Sequence, residues 1–136
     1  LQDIIPDCWD AKFPVYVGGP VAVDTMNFIH RCPDKIPGGQ EIKDGIYWGG
    51  DFESVKLLIN NYSLTEDEIR FFVGYSGWVE GQLQGELVRN TWLVTNNYHA
   101  DLIFDAGDND VWKEIIINMG QKFAHISNFP ENPQWN

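Results

Sequence analysis

The clearest fold signal in this chain lies in Gly74-Tyr75-Ser76-Gly77-Trp78-Val79-Glu80-Gly81-Gln82-Leu83-Gln84-Gly85-Glu86. It follows the apolar run Phe71-Phe72-Val73 and contains four glycines within thirteen residues. Glycine is favoured where a side chain would block the backbone or where φ must be positive. We therefore predict a buried strand, a tight glycine-rich turn, and then a helix over residues 81–89.

The predicted helix has two different faces, because residues four apart lie on the same side of a helix. Leu83 and Leu87 form an apolar stripe, and Gln82 and Glu86 form a polar stripe beside it. Arg89 follows three residues after Glu86. The stretch thus places an amide–carboxylate pair next to the aromatic side chains of the turn.

The rest of the chain combines short apolar runs with helical patterns. Apolar runs bounded by glycine or proline predict strands over residues 14–17, 26–30, 46–48, 69–75 and 92–94. Helices are predicted over residues 52–60, 81–89 and 111–119, the first capped by Asp51 and the last ended by Gly120. Residues 31–45 are predicted to be a loop with a hairpin at its end. The predicted fold class is α+β, a mixed or antiparallel sheet of about five strands covered by about three helices.

Composition and charge indicate an acidic, globular protein. Hydrophobic residues make up 43% of the chain, and three of its six tryptophans, Trp48, Trp92 and Trp112, are expected in the core. The net charge is −11, from 20 acids against 9 bases, and no run of Lys or Arg is present. Proteins that bind phosphate backbones use a basic surface, so this charge argues against direct DNA binding.

Cysteine usage and hydropathy indicate where the protein resides. Two cysteines, Cys8 and Cys32, are too few for a disulfide framework. The sequence shows no signal-peptide pattern and no apolar run of about 18 residues or more. We therefore expect a cytoplasmic protein that does not enter a membrane.

Several motifs occur together in an order that identifies a family resemblance. They are Gly18-Gly19-Pro20-Val21, a strand ending at His30, Gly49-Gly50-Asp51, Gly74-Tyr75-Ser76-Gly77-Trp78, Gly81-Gln82-Leu83 with Glu86, Trp92, the segment 101–104, and Trp112 before Gly120. In this order the chain resembles the AlgH-like family of uncharacterised bacterial proteins, from near residue 1 to about residue 120. The motifs are specific only as a set.

The resemblance carries expectations about organisation and function. It implies one AlgH-like domain over residues 1–120, followed by a C-terminal tail over residues 121–136. Members of the family have an earlier segment, so we expect roughly the front quarter of the family pattern to be absent. An exposed strand edge left by that absence would be a route to oligomers. Family members have been described as transcriptional regulators, so a regulatory role is implied.

Common catalytic and metal-binding patterns are absent from the sequence. The nucleophile elbow requires glycine two residues after the serine, and Trp78 follows Ser76 at that distance. His30, His99 and His125 lie far apart and outside zinc-binding patterns. The sequence therefore predicts no catalytic residue of a known type, no metal site and no cofactor.

The sequence also does not match the common calcium-binding and phosphate-binding motifs. Asp105, Asp108 and Asp110 resemble a calcium loop, but the spacing of an EF-hand is broken, and capping of the following helix explains them better. Neither of the two common glycine-rich phosphate-binding motifs occurs.

The candidate ligand-binding site consists of Tyr75, Trp78, Gln82, Glu86, Arg89 and His30. One interpretation is that Gln82 and Glu86 only hydrogen-bond the glycine-rich loop and keep it rigid, because buried polar groups are usually paired. The other is that they line a cleft floored by the aromatic side chains, with Arg89 at its rim.

Two functional hypotheses follow. The first is a non-enzymatic regulatory or binding module that acts through protein or small-ligand contacts. The alternative is an enzyme of unrecognised type acting on a nucleotide or other small polar molecule, with Glu86 as general base and His30 nearby. The enzyme hypothesis requires the side chains of His30 and Glu86 to face one cleft.

The charge of the chain generates a direct test of DNA binding. In an electrophoretic shift assay at physiological salt, we expect no tight binding of duplex DNA, because no basic surface is available to release counterions. Tight binding that weakens steeply as salt is raised would contradict this expectation.

Overall fold

The structure is a computed structural model that describes residues 5, 12–105 and 110–120 of the chain. The predictions for the N-terminal turn, for Cys8, Asp108 and His125, and for the C-terminal tail lie outside the described residues. Within the described part, five strands and four helices are present.

The strands form one mixed sheet. They are β1 (Val15–Val17), β2 (Val21–His30), β3 (Gln40–Lys43), β4 (Ile46–Trp48) and β5 (Ile69–Tyr75), arranged in the order β1-β5-β2-β4-β3. β1 runs parallel to β5, and the other neighbouring strands are antiparallel. The helices are α1 (Phe52–Asn60), α2 (Gln82–Val88), α3 (Ala100–Phe104) and α4 (Val111–Asn118). The predicted α+β class with a mixed five-stranded sheet is confirmed.

The identity of the fifth strand differs from the prediction. Residues 92–94 form no strand, whereas β3 lies in the segment 31–45, which was predicted as a loop with a hairpin at its end. All four residues of β3 are exposed, so the strand has no apolar alternation to reveal it. β3 joins β4 through Asp44 and Gly45, whose φ angles of 54° and 76° suit a tight hairpin turn.

The main core lies between α1 and one face of the sheet. Successive strand residues point to opposite faces, so Phe28 and Phe71, which are register partners, point together toward this core. They pack with Val55 and Ile59, the buried residues of α1. Asp51 caps α1 as predicted, since its carboxylate accepts from the backbone N–H of Ser54 at 3.0 Å.

The opposite face of the sheet is covered at one end by α3. The side chain of Arg70, which alternates with Phe71, donates to the carbonyl of Asp105 and lies over the ring of Tyr16. Arg31 pairs with Asp101 at 2.7 Å and lies over the buried ring of Phe104. α3, predicted only as a short apolar anchor, is thereby fixed to the sheet.

β5 ends in a close backbone contact. Gly74 has a φ of +69°, and a Cβ atom there would lie 2.5 Å from the carbonyl oxygen of Gly19. The loop around Gly19 therefore packs directly on the end of β5. A side chain at Gly74 would prevent this contact. This contact sends the chain away from the sheet toward α2.

We expect Gly74→Ala to destabilise the protein much more than Gly45→Ala. Both positions have positive φ, which costs an alanine about 1–2 kcal/mol. A Cβ atom at Gly45 would meet no atom within 4 Å, whereas one at Gly74 would clash with backbone at a further cost of about 1–3 kcal/mol. Urea denaturation followed by circular dichroism would measure the difference. Equal midpoints for the two variants would contradict the close contact.

Candidate functional site

The turn and helix after β5 form as predicted. The described backbone changes from strand at Tyr75 to the helix α2 at Gln82, and Gly81 precedes the helix with a φ of 79°. Gly81 has no side chain to cap the helix. Instead, the side-chain oxygen of Gln82 accepts from the backbone N–H of Val79 at 3.2 Å. Gln82 therefore ties the turn to the first residue of the helix.

Glu86 is the centre of a cluster of four side chains, Trp78, Gln82, Glu86 and Trp92, here called the Glu86 cluster. One carboxylate oxygen accepts from the indole N–H groups of Trp78, at 3.2 Å, and Trp92, at 2.7 Å. The other oxygen accepts from the amide of Gln82 at 3.0 Å. The two indole rings meet edge to face, with their centroids 5.7 Å apart. A single carboxylate thus holds the turn, the helix and the segment after it together.

These hydrogen bonds determine the ionisation of Glu86. The indole N–H of Trp92, the amide of Gln82 and the indole N–H of Trp78 lower the pKa of Glu86, with a smaller contribution from the charge of Arg89. The carboxylate is therefore ionised at neutral pH, and its oxygens are already engaged. A general base works best with a pKa near the operating pH, so this arrangement suits a structural acceptor better than a base.

The six predicted ligand-site residues fall into three places. Trp78, Gln82 and Glu86 meet in the Glu86 cluster, and Arg89 lies along the same helix, beside Gly85. Tyr75 belongs to a different surface, a groove on the face of the sheet opposite α1. His30 lies in the interior. The structure therefore separates residues that the sequence places in one group.

His30 is fully buried and both of its ring nitrogens are paired. Its Nε2 donates to the carbonyl of Gly49 at 3.0 Å, and its Nδ1 accepts from the backbone N–H of Cys32 at 3.3 Å. The ring stacks on Tyr47. Burial lowers the pKa of His30, although the bond to Gly49 opposes this. Within the described residues, no hydrogen bond joins His30 to Glu86.

Trp92 takes part in the cluster although its position in the sequence does not indicate this. Trp48, Trp92 and Trp112 were expected in the core, but they are 51%, 45% and 43% exposed. Thr91 turns the chain after α2 by donating its hydroxyl to the carbonyl of Glu86 at 2.7 Å, and this brings Trp92 back to the carboxylate. Trp92 lies beyond the end of α2, so helical spacing gave no signal for the contact.

α2 has no buried residue. The predicted apolar stripe exists by spacing, yet Leu87 is 41% exposed and the neighbouring Val88 is 82% exposed. The flanking apolar residues Val79, Leu93 and Val94 are 74%, 46% and 66% exposed. These five exposed apolar residues lie on α2 or in the segments that flank it, and they are here called the α2 surface.

Comparison with known proteins identifies the family. A family model described as AlgH-like matches residues 1–124. The chain belongs to the AlgH-like family. A UPF0301 protein of Chlorobium limicola is 40% identical over 127 residues, which is 93% of this chain and 67% of the relative. A UPF0301 protein of Bacteroides thetaiotaomicron is 42% identical, covering 100% of this chain and 69% of the relative.

Solved structures show the same fold. A crystal structure of a protein from Corynebacterium diphtheriae matches with a TM-score of 0.70 and 20% identity, covering 94% of this chain and 69% of that one. The solution structure of the AlgH protein from Pseudomonas aeruginosa matches with a TM-score of 0.65 and 22% identity, covering 97% and 72%. This AlgH-like chain thus spans about two thirds of the length of the relatives it matches.

Two further observations concern sites of other kinds. In residues 5, 12–105 and 110–120, no three His, Cys, Asp or Glu side chains are grouped so that they could hold a metal ion. No helix in the same residues has the length and apolar character needed to cross a membrane.

Glu86→Ala should disorder the tryptophan pair, because both indole N–H groups lose their common acceptor. We expect a large loss of near-ultraviolet circular dichroism, whereas Glu80→Ala, on the same turn, should leave the spectrum unchanged.

The same contacts predict how the cluster responds to pH. Because the pKa of Glu86 is lowered, its charged carboxylate continues to stabilise the cluster as the pH falls to 4.5, the ordinary pKa of a glutamate. This stabilisation is lost only below pH 4.5. A wild-type spectrum in Glu86→Ala, or a transition above pH 4.5, would contradict this account.

Proposed function

We propose that this AlgH-like protein is a non-enzymatic regulatory module that binds a partner protein through the α2 surface. The observation that carries the proposal is the lack of any buried residue in α2, although the helix carries Leu83, Leu87 and Val88. Exposed apolar side chains gathered around one element are typical of protein interaction sites. A cytoplasmic location and the absence of direct DNA contact, both expected from the sequence, are parts of the same proposal.

The Glu86 cluster supports this proposal by making the α2 surface rigid before a partner arrives. Trp78 and Trp92 are held from opposite ends of the helix by one carboxylate. Large aromatic side chains with fixed positions contribute strongly to protein interfaces, because little conformational entropy is lost when they are covered. The half-exposed indoles are therefore suited to act as anchors at the edge of the α2 surface.

The charge of the chain defines the chemistry of the partner. With 20 acids against 9 bases, the protein attracts basic surfaces over a distance of about one Debye length, roughly 8–10 Å. Electrostatic complementarity mainly increases the rate and specificity of association. The partner we propose therefore presents apolar side chains surrounded by Lys and Arg.

The enzyme alternative gains no supporting observation at its two named residues. The carboxylate of Glu86 is occupied by three hydrogen bonds, and the ring of His30 is occupied by two. Neither group is available to move a proton to or from a bound molecule without breaking contacts that organise the local structure.

Site-specific photo-crosslinking tests the α2 surface. A benzophenone amino acid at Val88 should crosslink a distinct partner in the cells that naturally express the protein, and the same probe at Leu57, exposed on α1, should not. Against the purified partner, Val88→Asp should weaken binding by about tenfold or more, equivalent to about 1.4 kcal/mol. Leu57→Asp serves as the matched control.

Either of two results would overturn the proposal. The first is the same set of crosslinked proteins from positions 88 and 57. The second is unchanged affinity of Val88→Asp for the purified partner, measured by titration calorimetry on protein shown to be folded by circular dichroism.

A further inference from the structure

A groove of about 690 Å³ lies on the sheet face opposite α1, and none of the residues that line it belongs to the α2 surface. Its floor follows from the register. Asn27 pairs with Phe72, and Ile29 pairs with Trp48, so these four side chains lie on one face. Asn27 and Ile29 alternate with Phe28 and His30, which point to the core side. Tyr75, at the end of β5, closes one side of the groove.

The groove contains polar groups without partners. The side-chain amide of Asn27, the indole N–H of Trp48 and the hydroxyl of Tyr75 make no hydrogen bond to any other part of the chain that the structure describes. Asn27 is half-buried and lies beside Phe72 of β5. Its amide atoms face solvent, since no buried side-chain N or O atom among the described residues lacks a hydrogen-bond partner, so they are free to bond a ligand.

The side chains that line the groove carry no charge. Besides the polar groups, it is made of apolar and aromatic side chains with backbone from Gly18 and Gly74, and it has no Lys, Arg, His, Asp or Glu. The whole chain carries a net charge of −11, which repels anions further. A pocket of ~300–1,000 Å³ with aromatic walls and a few convergent polar groups is the usual form of a small-molecule site.

We propose that this groove binds a neutral, planar purine-type base. An asparagine amide has a donor and an acceptor side by side, which match an exocyclic amine next to a ring nitrogen, as in adenine. Trp48, Phe72 and Tyr75 supply aromatic faces and edges on which such a ring packs, and stacking on aromatic side chains contributes strongly to base recognition. The amide of Asn27 would hydrogen-bond to the edge of the base, and the aromatic side chains would pack against its faces.

The geometry favours this ligand over a peptide. Extended peptides usually add to the edge of a sheet, where backbone groups are unpaired. The groove lies across β5, β2 and β4, which are interior strands with a neighbour on each side. An apolar protein surface would also leave the amide of Asn27 without a partner.

An NMR titration of the ¹⁵N-labelled protein with adenosine tests the proposal. We expect saturable shifts of the Asn27 side-chain amide and the Trp48 indole N–H, with a Kd of about 1 mM or tighter. Purine riboside, which lacks the exocyclic amine, should bind about tenfold more weakly, because one hydrogen bond to Asn27 is lost. AMP should also bind more weakly than adenosine, because no Lys or Arg lines the groove and Arg70, on the same face of the sheet, is engaged by the carbonyl of Asp105.

Matched variants separate ligand binding from folding. Asn27→Leu keeps the shape of the side chain and removes both hydrogen-bonding atoms, so it should weaken adenosine binding about tenfold or more while the protein stays folded. Trp48→Ala should also weaken binding. Trp112→Ala, which removes a similarly exposed indole outside the groove, should not.

Four results would overturn the proposal: no saturable shifts in the groove, equal binding of purine riboside, stronger binding of AMP, or wild-type affinity in Asn27→Leu. A change in the sedimentation of Trp48→Ala without a change in adenosine affinity would also overturn it, because the groove would then be an interface between copies of the chain. None of these results bears on the α2 surface, so the two proposals fail separately.

Discussion

β2 pairs with β5 inside the sheet, and the register of this pair determines which side chains face α1 and which face the groove. This register sets Phe28 beside Phe71 on the face covered by α1, and it therefore sets Asn27 beside Phe72 on the other face. A shift of one residue would exchange the two faces, placing an amide in the core and a phenyl ring in solvent. Core packing thus fixes the register, and the register in turn places Asn27 in the groove.

The same strand connects the core to the surface. β5 is buried at Ile69 and Phe71, and it ends at Gly74, where the loop at Gly19 packs against the backbone. Beyond this contact the chain leaves the sheet, and its side chains are mostly exposed up to the end of α2. Only glycine allows the two backbone segments to approach so closely here. The packed core lies before this contact, and the projecting helix α2 follows it.

Local sequence signals predicted the elements whose formation depends on local physics. Asp51 and Asp110 cap helices through their own side chains, and the four-residue spacing of Gln82 and Glu86 places their side chains in contact. β3 was missed because an exposed edge strand has no apolar periodicity. Trp92 was assigned to the core because indoles are usually buried, and its carboxylate partner lies in a different element.

The residues of the candidate site also show that sequence order does not determine which side chains meet. Sequence order grouped Tyr75 with Trp78, yet the turn between them sends one to the sheet face and the other to α2. Likewise, His30 ends a strand near the glycine-rich loops, but the parity of β2 turns its ring toward the core. Whether side chains meet depends on strand parity and on the direction of turns, and neither can be derived from spacing when the strand boundaries are unknown.

α2 is ordered for a reason other than burial. A helix of seven residues is too short to be stable by itself in water, and it has no buried side chain to compensate. Within the described residues, the hydrogen bonds of Glu86 to both indoles and to Gln82 help to hold it, together with the half-buried side chain of Leu83. Because little apolar area is buried there, covering the α2 surface would add stabilisation that the isolated chain lacks, which favours association over an independent role for this helix.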